Sequence, residues 1–383
     1  MAPGRWLALL CAAPAAAQVA WRQPTFDVAV NRSVVYAETA WNCTPDDASL
    51  PRNLSDASSC RVDGGGKWGR VTLDLYAPAP RPGGPRPPAA GRPAVVLMHG
   101  GSYVNGDSAS DNMAFTARWY AARGFVAASL DYHPRGAYGL VPAGDFKYAP
   151  EFATHDVNGT TERYGFLPAF DLIYPAVRDA KAAVRWLKAN ARSLGVAPDF
   201  VVAYGSSAGA CSAVALGSSL GPGAPEDYRD ELRGVDPTLG HLDTPSDVAA
   251  VVSHWGGLYA LEVLEQATNV SRVTAAFSPV VAFHGSEDYA ISPLNEPKLC
   301  DRLAPLGVPC EATTLRGYGH DPTFSCACCN SDCSDTGVVN CTGRPVREPG
   351  GGCEVVVDAS TNATMDDATL RFLAAHAGLE LRG

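Results

Sequence analysis

Between residues 34 and 315, short uninterrupted apolar runs alternate with longer stretches in which apolar residues return every three or four positions. Runs of four to seven apolar residues are how strands buried on both faces read, and helical-period stretches between them read as crossovers. The pattern predicts eight strands, over 34–38, 71–76, 94–98, 125–130, 200–204, 248–253, 280–283 and 312–315. Its clearest helix covers 173–191, with Ile173, Val177, Val184 and Leu187 on one face and Arg178, Lys181 and Arg185 on the other, ending before Gly195 and Pro198. Strand and helix in alternation predict one α/β domain, with a mainly parallel eight-stranded sheet and helices on both faces. Residues 78–93, rich in Pro and Gly, read as a polar connector, and 134–172 and 321–355 as long irregular stretches.

Composition narrows the class of molecule. The 383 residues are 46% hydrophobic and 18% charged, which excludes disorder. Thirty Lys and Arg against forty Asp and Glu give a net charge of −10, and no cationic cluster interrupts it. Nucleic acid, anionic membrane surfaces and polyanionic substrates all need a positive patch, so none is expected as a partner.

Arg5, the apolar run 6–13 and Ala15-Ala16-Ala17 have the layout of a secretory signal peptide over 1–17, which leaves 18–383 as a single domain. No second stretch is long enough to span a bilayer. Asn31, Asn42, Asn53, Asn158, Asn269, Asn340 and Asn362 each begin an N-x-S/T triplet, where chance would give about one or two. A secreted or lumenal protein carrying N-glycans is expected.

The twelve cysteines fit that compartment. With Cys11 removed, Cys43 with Cys60 and Cys300 with Cys310 are plausible local pairs, and Cys211 is left as a buried free thiol. Cys326, Cys328, Cys329, Cys333, Cys341 and Cys353 make an even set of six. Zinc is the rival reading of 326–333, but irregular spacing and an oxidising compartment favour disulfides, so no metal or other cofactor is expected. The insertion 321–355 has too few large apolar residues for a core of its own, and reads either as a stapled flap at a site rim or as surface decoration.

Gly205-Ser206-Ser207-Ala208-Gly209 has the form G-x-S-x-G, between an apolar strand and a small-residue helix. Glycines there let strand and helix approach while the serine stands on a strained turn, making Ser207 a candidate nucleophile. His99-Gly100-Gly101-Ser102 closes the strand over 94–98. The backbone N–H groups of Gly101 and Ser102, with that of Ala208, are candidates for an oxyanion hole. A serine needs a base and a carboxylate to orient it. Asp288 follows the strand over 280–283 and His320 follows the next, both in loops opening on the Ser207 face. Glu287 is the alternative acid, while His284 reads as loop-shaping and His241 and His254 as structural histidines. Tyr138, Phe146, Tyr148, Phe152, Tyr164 and Phe166 either line an acyl or aryl pocket or pack a loop.

These motifs, with the run 71–78 and the helix segment 179–187, resemble the α/β-hydrolase superfamily, and within it the carboxylesterase and feruloyl-esterase-like (BD-FAE-like) serine hydrolases. The resemblance covers about residues 69–320 and the final helix. It implies cofactor-free hydrolysis of small-molecule or carbohydrate-linked carboxylic esters. Ser102 stands where many members have a third Gly, and the Cys-rich insertion is a further departure. Two other readings are a non-catalytic adhesion protein on the same fold and a serine peptidase of prolyl-oligopeptidase type. The latter normally carries a propeller domain, and no repeat of that length is present.

Overall fold

The computed structural model describes residues 18–40, 60–63, 66–86, 91–103, 106–132, 154–157, 160–163, 170–218, 240–268, 271–320, 356–358 and 363–383. The expected signal segment 1–17, the six aromatics of 134–172, the Cys43–Cys60 pair, the insertion 321–355 and every glycosylation triplet except that of Asn31 lie outside the described residues or side chains.

The described chain begins with β1 (Gln18–Trp21), followed by β2 (Asp27–Ala40), β3 (Cys60–Asp63), β4 (Gly66–Ala79), β5 (Arg92–Met98), α1 (Asp111–Ala122) and β6 (Val126–Leu130). After β7 (Thr154–Val157) and β8 (Thr160–Arg163) come α2 (Phe170–Ala189), α3 (Ala191–Leu194), β9 (Val196–Ser206), α4 (Ala208–Gly217), β10 (Ala250–His254) and α5 (Tyr259–Thr268). The remainder is β11 (Val280–Gly285), α6 (Asn295–Leu303), β12 (Cys310–Leu315), β13 (Val356–Asp358), β14 (Ala363–Thr364), a final helix α7 (Met365–His376) and β15 (Leu379–Arg382).

All eight expected strands lie in one sheet, in the order β12-β11-β10-β9-β5-β6-β4-β2, with the short β3 added on β4. The six strands from β12 to β6 run parallel, while β4 and β2 are antiparallel additions. Beyond the sheet, β1 pairs in parallel with β15, while β7 with β8 and β13 with β14 form small antiparallel pairs. The stretch 134–172 therefore contains two strands that apolar patterning did not reveal.

Side chains of a strand alternate between faces, and the two faces feed separate cores. Ala94, Val96 and Met98 of β5 join Val201 and Ala203 of β9 in a core covered by α2, α4, α5 and α6. Val95, Leu97, Val202 and Tyr204 enter a second core with Tyr120 of α1 and Leu370, Phe372 and Leu373 of α7. The central strands are buried on both faces, which is why they read as unbroken apolar runs.

On α2 the structure departs from the sequence reading. Arg178, Lys181 and Arg185 are buried rather than solvated. Arg185 Nε donates to the Gly240 carbonyl at 3.4 Å. α2 ends at Ala189, and the single turn of α3 that follows it is closed by Gly195 in the left-handed conformation at φ 66°. Cys300 and Cys310 form the expected disulfide across the link from α6 to β12. No helix among the described residues is long and apolar enough to cross a membrane.

Candidate active site

Ser207 sits between β9 and α4 with φ 54° and ψ −123°, a conformation that costs a non-glycine residue about 1–3 kcal/mol. The surroundings hold it there. A Cβ on Gly205 would lie 2.1 Å from the Gly209 carbonyl oxygen, and one on Gly209 would lie 2.1 Å from that of Met98. Only glycines let α4 descend onto the ends of β9 and β5. Ser207 N–H donates to the His254 carbonyl at 2.9 Å, tying the turn to β10.

The loops after β11 and β12 are joined to each other. Glu287 N–H donates to the Tyr318 carbonyl and Ser286 N–H to that of Leu315, each at 2.9 Å. Gly317 N–H returns a bond to Ser286 Oγ at 2.9 Å. Gly285 has no room for a side chain, since its Cβ would sit 2.2 Å from the Gly319 carbonyl oxygen.

These connections bring three expected side chains into line. Ser207 Oγ lies 2.8 Å from His320 Nε2. His320 Nδ1 lies 2.8 Å from Asp288 Oδ2. An Nδ1–H donated to the carboxylate leaves Nε2 as the acceptor of the serine hydroxyl. Glu287, the alternative acid, is exposed and contributes its backbone. The HGGS loop lies alongside, with a Gly100 Cβ position only 3.0 Å from Ser207 Cβ. Gly101 and Ser102 follow at φ 105° and 55°. Ala208 opens α4, so its N–H is among those that the helix leaves without an internal acceptor.

Residues 167–257, from the approach to α2 through β10 and including the Ser207 turn, match the BD-FAE family model. Over that segment the chain is similar to the BD-FAE family. Over 139 residues, 36% of the chain, it is 30% identical to carboxylesterase 3B of Mus musculus, and the match spans only 19% of that relative. A thermophilic esterase of Thermogutta terrifontis, solved with butyrate bound, covers 65% of this chain and 80% of its own at 21% identity and a TM-score of 0.45. Esterase 2 of the same organism, phosphorylated by paraoxon, gives 23% identity, 65% and 79% coverage and a TM-score of 0.44.

Two residues of this site extend the constellation beyond the sequence reading. His284 does more than shape a loop, because its Nε2 lies 2.8 Å from Asp288 Oδ2, the oxygen that also faces His320. Its Nδ1 lies 2.5 Å from Oε2 of Glu296, a buried residue of α6. In the sequence Glu296 looks like any acidic residue in a first helical turn, where the helix dipole favours it. Asp288 is fully engaged, since its Oδ1 accepts from Ala290 and Ile291 N–H at 2.8 and 2.9 Å. Burial would raise its carboxyl, but hydrogen bonds from His284 and His320 prevail and hold it well below the ordinary carboxylate range.

The remaining histidines differ in kind. His241 is exposed. His99 is buried, with Nδ1 donating to the Gly100 carbonyl at 2.7 Å and its ring stacked on Tyr132. His254 is buried with Nδ1 2.9 Å from the Tyr204 hydroxyl. Burial lowers His99 to about 4 and His254 to about 3. In His284 burial also pushes down, but hydrogen bonds to Asp288 and Glu296 outweigh it and raise the group to about 10.

Unfolded histidines titrate near 6.5, so the signs follow. As pH falls from 6.5, the unfolded chain binds protons that folded His99 and His254 refuse, and stability drops by about 1.4 kcal/mol per pH unit for each. The contribution of His284 is complete below 6.5 and is lost as pH rises toward 10. Denaturant titrations at pH 5, 6.5 and 9 should place maximal stability near 6.5, with the steeper loss on the acid side. A protein as stable at pH 5 as at 6.5 would contradict the neutral burial of His99 and His254.

Proposed function

We propose that this chain is a secreted serine hydrolase that cleaves carboxylic esters through an acyl-enzyme. The observation that carries the proposal is the unbroken line Ser207 Oγ, His320, Asp288, with 2.8 Å at each hydrogen bond, mounted on the strained turn. In this reading His320 takes the Ser207 proton as Oγ attacks the ester carbonyl. Asp288 fixes the imidazole tautomer and stabilises the imidazolium that forms. The oxyanion falls to the backbone N–H groups of Gly101, Ser102 and Ala208, and such a donor contributes about 3 kcal/mol to transition-state stabilisation. His320 then returns its proton to the leaving alcohol, and a water repeats the sequence to release the acid. The chemistry needs no metal or cofactor.

Export rests on the signal-like stretch 1–17 and the glycosylation triplets. The test of the reaction is a fluorophosphonate probe followed by an ester panel. The probe should attach to Ser207 and abolish turnover of p-nitrophenyl acyl esters. Short or aromatic acyl groups should be preferred over emulsified long-chain triglycerides. A chain that neither takes up the probe nor hydrolyses any ester is a binding protein on this fold, and the proposal fails.

A further inference from the structure

Behind Asp288 the hydrogen-bonded line continues inward, and every member of that continuation is buried. Glu296 Oε2 faces His284 Nδ1, and His284 Nε2 faces Asp288 Oδ2 and, at 3.0 Å, the Ile291 carbonyl. Burial raises the Glu296 carboxyl and the bond from His284 opposes it; with Glu296 ionised, all of these oxygens are acceptors. An imidazole satisfies acceptors at both ring nitrogens only when both carry a proton. We propose that His284, kept doubly protonated by Glu296, is a positioning residue that fixes the Asp288 carboxylate on which His320 is oriented. This rests on the ester-hydrolysis reading above.

The consequence lies in one shared oxygen. Asp288 Oδ2 accepts from His284 and from His320, each at 2.8 Å. When His320 takes the serine proton, a second cation faces the same carboxylate. The doubly protonated ring donates a charge-assisted bond to that oxygen whether or not His320 carries the proton. It also removes any choice of rotamer from Asp288, whose two oxygens then receive four donors.

Among the described residues, few other titratable groups face this line. From α4, the Cys211 thiol lies close enough to Glu296 to feel its charge, and burial raises the thiol so that it stays neutral. From α5, Glu262 acts on Cys211 at longer range. From β10, Ser253 Oγ–H approaches Glu296 Oε1 at 3.4 Å. From the β12 side, the facing group is His320 itself. A full-length buried Glu–His pair is costly to desolvate, and an apolar pair would pack as well. His284 touches the carboxylate that orients His320, and Glu296 acts on it through His284.

The experiment uses the full chain and three measurements. His284→Gln retains a neutral N–H donor and removes the charge. Its kcat should fall about tenfold with KM within about twofold, a split that a merely structural role would not produce. Glu296→Gln leaves His284 with a single carboxylate, so its second proton should leave at lower pH than in the wild type. That proton is read directly from the His284 15N shifts, which in the wild type should report both nitrogens protonated up to pH 9, whether or not the variants fold well. A singly protonated His284 at pH 7, or a His284→Gln kcat equal to that of an active wild type, overturns this inference alone. A wild type that hydrolyses no ester overturns the functional reading and this one with it.

Discussion

Ser207→Ala should lower kcat for a p-nitrophenyl acyl ester by about 10⁴-fold or more while the circular dichroism spectrum and melting temperature stay close to wild type. The variant deletes one oxygen. Alanine meets the same backbone demand as serine at φ 54°, so the turn gains no new strain. The N–H of residue 207 still reaches the His254 carbonyl. What disappears is the atom 2.8 Å from His320 Nε2, and with it the acyl-enzyme route. Substrate binding survives, so the loss appears in kcat and leaves KM nearly unchanged. Turnover within tenfold of wild type would remove Ser207 from the mechanism.

Gly205→Ala should destabilise the protein by at least about 3 kcal/mol, or prevent it from folding. The added Cβ would stand 2.1, 2.2 and 2.4 Å from the Gly209 carbonyl oxygen, its carbon and the Ala210 nitrogen. All three are backbone atoms, so no side chain can rotate away. The helix that carries them is buried along its entire length and has nowhere to retreat. Gly307→Ala is the control: nothing lies within 4 Å of its Cβ position, and only φ +72° resists the change, at about 1 kcal/mol. Denaturant unfolding of the two variants should separate clearly. Equal stabilities would mean that the contact of α4 with β9 is looser than the geometry requires.

The strands were legible because a sheet buried on both faces leaves no polar position to break an apolar run, as 94–98 and 200–204 show. Their spatial order was not, since nothing local in β5 says that its neighbours are β6 and β9. Ser207, Asp288 and His320 stood out because each follows a strand at a loop with its own chemical signature. Glu296 left no such mark. It belongs to the site only through His284, and a contact twelve residues away between two buried side chains has no period to betray it. Arg178, Lys181 and Arg185 misled for the opposite reason. A charged stripe on an amphipathic helix reads as a solvated face, whereas here all three residues are buried.

The bonds that zip the loop of Asp288 to the loop of His320 make the acid and the base a single inheritable module. Gly285 against Gly319, and Ser286 against Gly317, allow neither loop to drift in sequence or length without its partner. The nucleophile turn answers to a different set of neighbours, β5 and β10. A chimaera that exchanges segment 280–320 as a block with a related hydrolase should therefore keep its acid–base geometry. One that crosses over between residues 288 and 317 would pair two loops that have never been fitted to each other.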